Sequence, residues 1–372
     1  MTSFSLSDPR PATGDQPSAT VIILGYNGRG LLERCLDSVL DQSFPAGQFE
    51  VIYADNASRD GSADWVAGRF PSVQVLRFDR NLGFAEGNNR AAEQARGHYL
   101  LFLNQDTVVH RRWLAEMVGA LAPLPAEGPG VGAALRDAGA GLPTEPSTRA
   151  AAGHAAGCPL LVGPMEREAR VERGFLSEIT CFGAVEPVEI ELPDTPIPTL
   201  HIGGGSMILD RQVLDDLDYI FDPTLFAYGE DLDLGLRLNG LGYQVVFVPT
   251  AICYHHREGR AEPSRTTLRR TALATRNRFL VYMKNMHWGE FLLALPLLFV
   301  GSIAKMGTMV SSPVKRLIYG VGLVPFTAYY LAAALVRVPR YLPERRRILA
   351  RRARHHPRSW LLRELLRRGR RP

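Results

Sequence analysis

Acidic and amide side chains follow two apolar segments of this sequence, where metal and nucleotide chemistry is possible. Asp55 comes after residues 51–54, and Asn104-Gln105-Asp106 comes after residues 100–103. An aspartate at a strand end can accept a hydrogen bond from the imide N–H of uracil or thymine, and a carboxylate can bind Mg²⁺ or Mn²⁺, which prefer oxygen ligands. The alternative is structural, because Asp and Asn, Asn56 included, also cap helices. If both segments belong to one sheet, the two carboxylates repel each other and a bound cation would relieve the repulsion.

A second acidic group, Glu230-Asp231 with Asp233, begins a segment with the apolar spacing of a helix. One explanation is structural, since acidic side chains at a helix N-terminus are stabilised by the helix dipole. The chemical explanation is a general base that removes the proton from an attacking hydroxyl. The residues alone leave both explanations open.

Histidine and glycine clusters add further candidates. His255 and His256 follow a β-like run, where one of them could supply a nitrogen ligand to a metal or both could be surface residues. The glycines in residues 201–207 leave room for a ligand to approach the backbone, or they form a flexible turn. The glycines in residues 25–30 lack the order G-x-G-x-x-G, which argues against a dinucleotide-binding loop.

Four strand-like apolar segments, residues 20–24, 51–54, 73–78 and 99–103, must position these side chains. Helical patterns separate them, and the resulting β-α-β-α-β-α-β order predicts an α/β fold with a mostly parallel sheet covered by helices on both faces. In an open sheet of this kind, the ligand crevice lies at the carboxyl ends of the strands. The polar residues at those ends are Asn27, Asp55, Asn81 and Asp106.

The charge of the chain is concentrated at its C-terminus. The 372 residues carry a net charge of +5, but residues 337–372 contain fourteen arginines and two glutamates, so the rest of the chain is mildly acidic. Such a tail favours phosphate-rich partners, either nucleic acid or anionic lipid headgroups. Its leucines have amphipathic spacing, which favours a membrane surface over a sequence-reading module. These leucines are Leu361, Leu362, Leu365 and Leu366.

Cysteine usage and the N-terminal residues predict a cytoplasmic protein. The four cysteines are scattered without a CxxC pair, which favours a reducing compartment. Residues 1–18 lack the apolar core of a signal peptide, and we expect a short disordered lead-in there.

Two uncharged apolar runs suggest contact with a membrane. Residues 291–304 form a run of 14 and residues 317–336 a run of 20. If only one of them crossed a membrane, the basic tail would lie opposite the rest of the protein, against the positive-inside tendency. Either both cross as a hairpin or both lie in the interface, and we favour the interface.

The expected organisation therefore has three parts. After the lead-in, an α/β domain covers residues 19–275 and includes an irregular insertion over residues 122–200. A membrane-associated helical region with a basic tail covers residues 276–372. The predicted location is the cytoplasmic face of the cell membrane, with peripheral or shallow insertion.

Seven segments together resemble the family 2 glycosyltransferases, which have a GT-A fold, and in particular their bacterial rhamnosyltransferase-like branch. They occur in the family's order and span residues 20–256. A looser, mostly compositional similarity links ATRNRFLVYMKN and the tail to members that act on lipid-linked acceptors. The seven segments are TVIILGYNG, VIYADNASRDGS, NLGFAEGNN, LLFLNQD, GGGSMIL, FDPTLFAYGEDLDLGLRL and PTAICYHH.

The resemblance implies a role for each matching residue. It makes Asp106 the principal metal ligand, alone or with His255, because Asn104 replaces the first acid of the family's D-x-D motif. It makes Asp231 the catalytic base, with Glu230 beside it, and it places Gly204 and Gly205 on the acceptor side. The residues that it assigns to donor binding are Tyr26, Asn27, Asp55, Asn56, Asn81, Gly83, Asn88, Asn104 and Gln105.

The activity that the resemblance implies is an inverting transfer of a sugar, assisted by Mg²⁺ or Mn²⁺. The donor would be deoxythymidine-diphosphate rhamnose or a uridine-diphosphate hexose, and the acceptor a saccharide or a polyprenyl-linked saccharide used in cell-surface polysaccharide or glycolipid synthesis. Anionic lipid is an expected partner and nucleic acid is not. Two alternatives are a nucleotidyltransferase, although no lysine-containing phosphate loop follows the first strand, and a membrane-surface scaffold.

Overall fold

The computed structural model of the protein describes residues 17–45, 47–121, 154–158, 160–161, 173–180, 185–256, 265–308, 328–329 and 332–368. Nearly all of the predicted lead-in, residues 122–153 of the predicted insertion and most of the run 317–336 lie outside these ranges. The chain forms two compact units. The first comprises Met1–Leu176, Glu189–Ile220 and Tyr243–His256, and the second comprises Ser177–Val188, Phe221–Gly242 and Arg257–Pro372.

The first unit contains most of the strands. In chain order its elements are β1 (Ala19–Gly25), α1 (Arg29–Leu40), β2 (Phe49–Asp55), α2 (Ser62–Arg69), β3 (Gln74–Arg77), α3 (Gly83–Ala92), β4 (Tyr99–Asn104), β5 (Thr107–Val109), α4 (Trp113–Leu121), β6 (Ala155–Gly157), β7 (Leu160–Leu161), β10 (Ile197–Pro198), β11 (Ser206–Asp210), a 3₁₀ helix (Arg211–Asp216), β12 (Val245–Phe247) and β13 (Cys253–His255). The chain passes from the first unit to the second and back within β8 (Arg173–Ile179) and β9 (Val185–Glu191).

An eight-stranded sheet forms the centre of the first unit, in the order β10-β12-β6-β11-β4-β1-β2-β3. The pairs β1–β2, β1–β4, β2–β3 and β12–β6 are parallel, whereas β11 is antiparallel to β4 and β6, and β10 is antiparallel to β12. A smaller sheet has the order β5-β13-β7. The prediction of an α/β fold with a mostly parallel sheet is confirmed.

The register of β1 with its neighbours sets the position of the candidate site. Gly25 lies opposite Asp55 of β2, and Leu24 lies opposite Asn104 of β4. The carboxyl ends of β2 and β4 therefore flank the end of β1 at one edge of the sheet. With neighbouring strands about 4.8 Å apart, the backbones at Asp55 and Asn104 are separated by about 10 Å.

The amphipathic pattern of α1 shows how helices cover this sheet. Leu32, Cys35, Leu36 and Val39 are fully buried, at the i, i+3, i+4, i+7 spacing of a helix face. The intervening charged residues are exposed. Burying each Leu or Val side chain contributes roughly 1.5–3 kcal/mol, so this face fixes the helix against the core.

The second unit is largely helical, and the C-terminal half of one of its helices is buried on all sides. Every residue from 277 to 286 is buried. The predicted boundary at residue 275 falls inside this helix, and the unit combines residues 221–242 with the C-terminal helices. Its elements are a 3₁₀ turn (Pro223–Leu225), α5 (Glu230–Gly240), α6 (Arg265–Asn285), α7 (Trp288–Thr308), α8 (Val338–Arg352) and α9 (Trp360–Arg368).

Apolar side chains are exposed on α7 and to a smaller extent on α9, where Leu366 is 44% exposed. Leu292 and Leu293 are 61% and 69% exposed. In α9, by contrast, Leu361 and Leu365 are buried. Half of the leucine pattern expected to meet a membrane therefore packs inside the protein, because the same spacing also suits burial. Of the helices that the structure describes, none combines the length and the apolar character needed to cross a bilayer.

Candidate active site

Asp55 is a buried carboxylate held from two directions at the end of β2. The Tyr53 hydroxyl donates to its Oδ1 at 3.3 Å, and the Ser58 backbone N–H donates to its Oδ2 at 3.0 Å. A carboxylate offers about four lone-pair positions, so capacity is left for a further donor such as an imide N–H. Contact between Asp55 and a nucleotide base remains a prediction.

Asn27 joins the loop after β1 to the loop after β2. Its backbone has a φ of 48°, in the left-handed region, which asparagine tolerates better than most residues. The Asn27 N–H donates to Ser58 Oγ at 2.9 Å, and its side-chain oxygen accepts from the Arg59 N–H at 2.8 Å. These bonds fix the loop beside Tyr26, whose side chain is 46% exposed.

Gln105 holds the same loop from the other side. Its amide makes two bonds to the backbone of Tyr26, accepting from the N–H at 3.1 Å and donating to the carbonyl at 3.1 Å. The arrangement needs a glycine at position 28, because a Cβ there would lie 2.2 Å from Gln105 Oε1. Gln105 therefore positions the loop, in addition to any contact that it makes with a donor.

Asn56 organises the loop that leads into α3. Its Nδ2 donates to Asn81 Oδ1 at 3.2 Å and to the Gly83 carbonyl at 3.1 Å, and its Oδ1 accepts from the Leu82 N–H at 2.8 Å. The buried Asn88 donates to the Phe84 carbonyl of its own helix. The side-chain amide of Asn56 is thus engaged with the protein, and donor contact by Asn56, Asn81, Gly83 and Asn88 remains a prediction.

Asp106 and His255 form a partly exposed pair beside this edge of the sheet. His255 Nε2 lies 3.4 Å from Asp106 Oδ1, and the two side chains are 17% and 30% exposed. The pairing of β13 with β5 places His255 opposite Thr107, and the His256 N–H donates to the Asp106 carbonyl at 2.7 Å. The structure therefore brings together the two residues predicted as metal ligands.

The glycine segment lies beside this pair. The Asn104 N–H donates to the Gly205 carbonyl at 3.0 Å, and β11 begins at the next residue, Ser206, paired with Leu103. Gly204 and Gly205 are therefore adjacent to the segment that carries Asp106. A role on the acceptor side remains a prediction.

In the second unit, Glu230 and Asp231 begin α5. Glu230 is 6% exposed, and its Oε2 has no hydrogen-bond partner among the described residues. Burial raises the pKa of Glu230 well above its usual range, and the neighbouring Asp231 and Asp233 raise it further. Asp231 is only half-buried. Of the two acids, Asp231 is the more accessible, which suits it better to receive a proton from an acceptor hydroxyl.

A buried ammonium group anchors this acidic segment. Lys284 is fully buried, and its Nζ lies 2.6 Å from Asp222, 3.2 Å from Asp233 and 2.8 Å from Glu344. Arg237 also donates to Asp233, at 2.8 Å. Burial acts to raise the pKa of Asp233, but the charges of Lys284 and Arg237 outweigh it and keep the pKa below its usual value.

Sequence reasoning missed this cluster, although a signal exists. Asn277 and Lys284 are seven positions apart in α6 and therefore lie on one face of the helix, and Lys284 directly follows the apolar residues 279–283. A lysine in such a stretch is either exposed on an opposite face or buried with partners. The partners could not be named, because they come from distant parts of the chain.

Two family models match the chain. Residues 20–150 match the model described as glycosyl transferase family 2, and residues 161–336 match glycosyl transferase family group 2. The chain belongs to glycosyltransferase family 2.

Relatives of this family 2 glycosyltransferase are similar over part of its length. Glycosyltransferase AglE of Haloferax volcanii is 32% identical over 114 residues, which cover 30% of this chain and 37% of AglE. The N-acetylglucosaminyl-diphospho-decaprenol L-rhamnosyltransferase of Mycobacterium tuberculosis is 27% identical over 256 residues, covering 64% of this chain and 75% of that enzyme. The chain thus spans well under half the length of the first of these relatives.

A solved structure supports the fold of this glycosyltransferase. The crystal structure of GalNAc-T7 with UDP, GalNAc and Mn²⁺ has a TM-score of 0.50 and 17% identity, covering 75% of this chain and 54% of that one. At this identity the likeness concerns the fold.

Proposed function

We propose that this family 2 glycosyltransferase transfers a sugar from a nucleoside-diphosphate donor to an acceptor hydroxyl, with inversion and with help from a divalent metal. The observation that carries the proposal is the Asp106–His255 pair, 3.4 Å apart, next to the strand end that bears Asn104-Gln105-Asp106. Open α/β sheets bind ligands at such an edge.

The chemistry of the pair fits Mg²⁺ or Mn²⁺. It offers one carboxylate oxygen and one imidazole nitrogen, both partly accessible. No group of three or more His, Cys, Asp or Glu that could hold a metal occurs within the described residues. The metal would therefore need further oxygen ligands from donor phosphates or water, as Mg²⁺ commonly does. When bound, it would offset the negative charge that develops on the departing nucleoside diphosphate.

Side chains of the protein would bind the nucleoside and activate the acceptor. Asp55, with the loop fixed by Asn27 and Gln105, would bind the nucleoside, and Asp231 would remove the proton from the acceptor hydroxyl. The deprotonated oxygen would then attack the anomeric carbon in a single displacement. Glu230 would stand beside Asp231 as the buried member of this acidic pair.

The names of two relatives support the substrates that we propose. The Mycobacterium enzyme is named for transfer of L-rhamnose to an N-acetylglucosaminyl-diphospho-lipid, and another relative is named as a putative teichuronic acid biosynthesis glycosyltransferase. We propose deoxythymidine-diphosphate rhamnose first and a uridine-diphosphate hexose second as donor. The acceptor would be a saccharide or polyprenyl-linked saccharide in cell-surface polysaccharide synthesis.

We also propose that the protein works at the cytoplasmic face of the cell membrane. The exposed Leu292, Leu293 and Val300 of α7 give an apolar face, and the arginines of residues 337–372 give a positive charge that suits anionic lipid. Binding to vesicles that contain anionic lipid, weakened by Leu293→Asp, tests this part of the proposal.

The decisive experiment combines donor binding with transfer. A ligand that binds the folded state raises the melting temperature by mass action. We expect one nucleotide sugar from a panel to raise it in the presence of Mn²⁺ and not in its absence. Asp106→Ala should abolish the metal-dependent rise, whereas Asp231→Asn should keep it and lose transfer.

Two results would contradict the proposal. Full transfer by Asp231→Asn would remove the base assignment. No rise with any donor would favour the alternatives, a nucleotidyltransferase or a membrane-surface scaffold, and a scaffold would keep its role in both variants.

A further inference from the structure

The loop directly before Glu230 has an unusual backbone. Phe226 has φ 66° and ψ −60°, and the Ala227 N–H donates to the Leu225 carbonyl at 2.8 Å. This is the γ-turn geometry that is rare because it is strained. Tyr228 and Gly229 follow with φ values of 68° and 95°. Bulky residues such as Phe and Tyr seldom adopt positive φ, so the surroundings must impose it.

Asn277 of α6 supplies that constraint. It is fully buried, and its Nδ2 donates to the carbonyls of Leu225, Ala227 and Tyr228 at 2.9, 3.0 and 2.7 Å. One amide nitrogen has two hydrogens, so three carbonyls share them. All three carbonyls lie within residues 225–228, so Asn277 holds the backbone around Phe226 and Tyr228 in this form.

The strained backbone turns two aromatic rings towards solvent. Phe226 is 46% exposed and Tyr228 is 41% exposed, although large aromatic side chains usually contribute most when buried. Asn277 anchors the Tyr228 carbonyl and the carbonyls on either side of Phe226, and both aromatic residues remain exposed. The rings occur two and four residues before Glu230, in the segment that leads into the proposed base. Strained backbone of this kind clusters at active sites and ligand-binding sites.

The surroundings of the rings are polar as well as aromatic. Tyr228 carries a hydroxyl and lies within electrostatic reach of Arg270 and Glu230. A sugar ring has an apolar C–H face and a rim of hydroxyls, so it can use both features. A hydrocarbon chain would gain from the rings but would meet the charges unfavourably.

We infer that Phe226 and Tyr228 form the acceptor-binding surface and take the apolar face of the acceptor sugar, an inference that rests on the proposed transferase activity. Asn277 is the positioning residue that presents them. Neither ring takes part in the proton transfer, so both act on acceptor affinity rather than on the chemical step.

Steady-state kinetics with N-acetylglucosaminyl-diphospho-prenols of short and long prenyl chains test the inference. We expect Phe226→Ala and Tyr228→Ala each to raise the acceptor KM about tenfold while kcat and the donor KM stay within twofold. Phe226→Tyr and Tyr228→Phe should restore most of the affinity, since the ring is kept. Tyr329→Ala, which removes an exposed aromatic ring elsewhere in the second unit, is the matched control.

The outcomes separate this inference from the proposed function. Transfer by the wild type, together with an unchanged acceptor KM in both alanine variants, would overturn the inference alone. A KM increase confined to the long-chain acceptor would overturn the sugar assignment in favour of the lipid chain. Absence of transfer by the wild type would overturn the proposed function and this inference with it. An unchanged donor-induced rise in melting temperature shows that each variant is folded.

Discussion

Replacing Lys284 by methionine should destabilise the second unit severely. The substitution keeps the length and apolar stem of the side chain but removes the ammonium group. Three carboxylates lose a partner, and two of them, Asp222 and Asp233, are buried to 1% exposure or less. Arg237 remains beside Asp233, whereas Asp222 keeps, among the described residues, its bonds to the N–H and hydroxyl of Thr224.

The expected size of the effect follows from these contacts. Breaking a buried ion pair by removing one partner costs about 3–5 kcal/mol, because a charge is left buried and uncompensated. With an m value of about 2 kcal/mol/M, the urea midpoint should fall by about 2 M. Transfer activity should fall as well, since Asp233 lies two residues after the proposed base.

Equilibrium urea unfolding, followed by tryptophan fluorescence and circular dichroism, measures this change. Arg367→Met is the matched control, because it breaks an exposed ion pair with Glu364 and should change stability by no more than about 0.5 kcal/mol. Glu344→Gln gives the third corner of a double-mutant cycle with Lys284→Met. A loss below about 1 kcal/mol in Lys284→Met would refute the view that the cluster anchors the acidic segment.

Two further perturbations test the local arguments. The pKa of Glu230 is raised in the folded state, so from about pH 4.3 upward the folded state holds more protons than the unfolded state and stability falls as the pH rises. Glu230→Gln should therefore flatten the pH dependence of the urea midpoint between pH 4 and 8. An unchanged slope would contradict the raised pKa of Glu230. Gly28→Ala should displace the Gln105 side chain, because its Oε1 would lie 2.2 Å from the new Cβ. The loss of two hydrogen bonds should lower the free energy of unfolding by about 1–2 kcal/mol, and donor affinity should fall as well. At Gly30 a new Cβ would meet no neighbouring side chain within 4 Å among the described residues. Gly30→Ala should therefore be neutral, and equal effects of the two alanines would exclude the clash.

The sheet could be predicted because its information is local. Residues 20–24, 51–54 and 99–103 are continuous apolar runs, and the structure has strands at each of them. Strands joined by helices must be parallel, which brings their carboxyl ends to one edge and Asp106 with them. The proximity of His255 to Asp106 followed from the family resemblance and not from spacing.

The arrangement of the second unit could not be predicted in the same way. The positive φ of Phe226 depends on Asn277, about fifty positions away, and the local sequence does not predict this backbone conformation. The spacing of Leu361 and Leu365 was equally compatible with a membrane and with the protein interior, and the structure buries both. An amphipathic pattern identifies a covered face but does not name what covers it.

The long separation between Lys284 and its partners affects the protein while it is being made. Glu344 leaves the ribosome more than a hundred residues after Asp231. At about 10 residues per second, a nascent chain spends on the order of ten seconds with the proposed base synthesised but its ionic anchor incomplete. Until Lys284 emerges, about five seconds into that interval, Asp222 and Asp233 lack the ammonium group that pairs with them. We expect the acidic segment to become ordered only when the last helices emerge, so activity would be acquired near the end of translation.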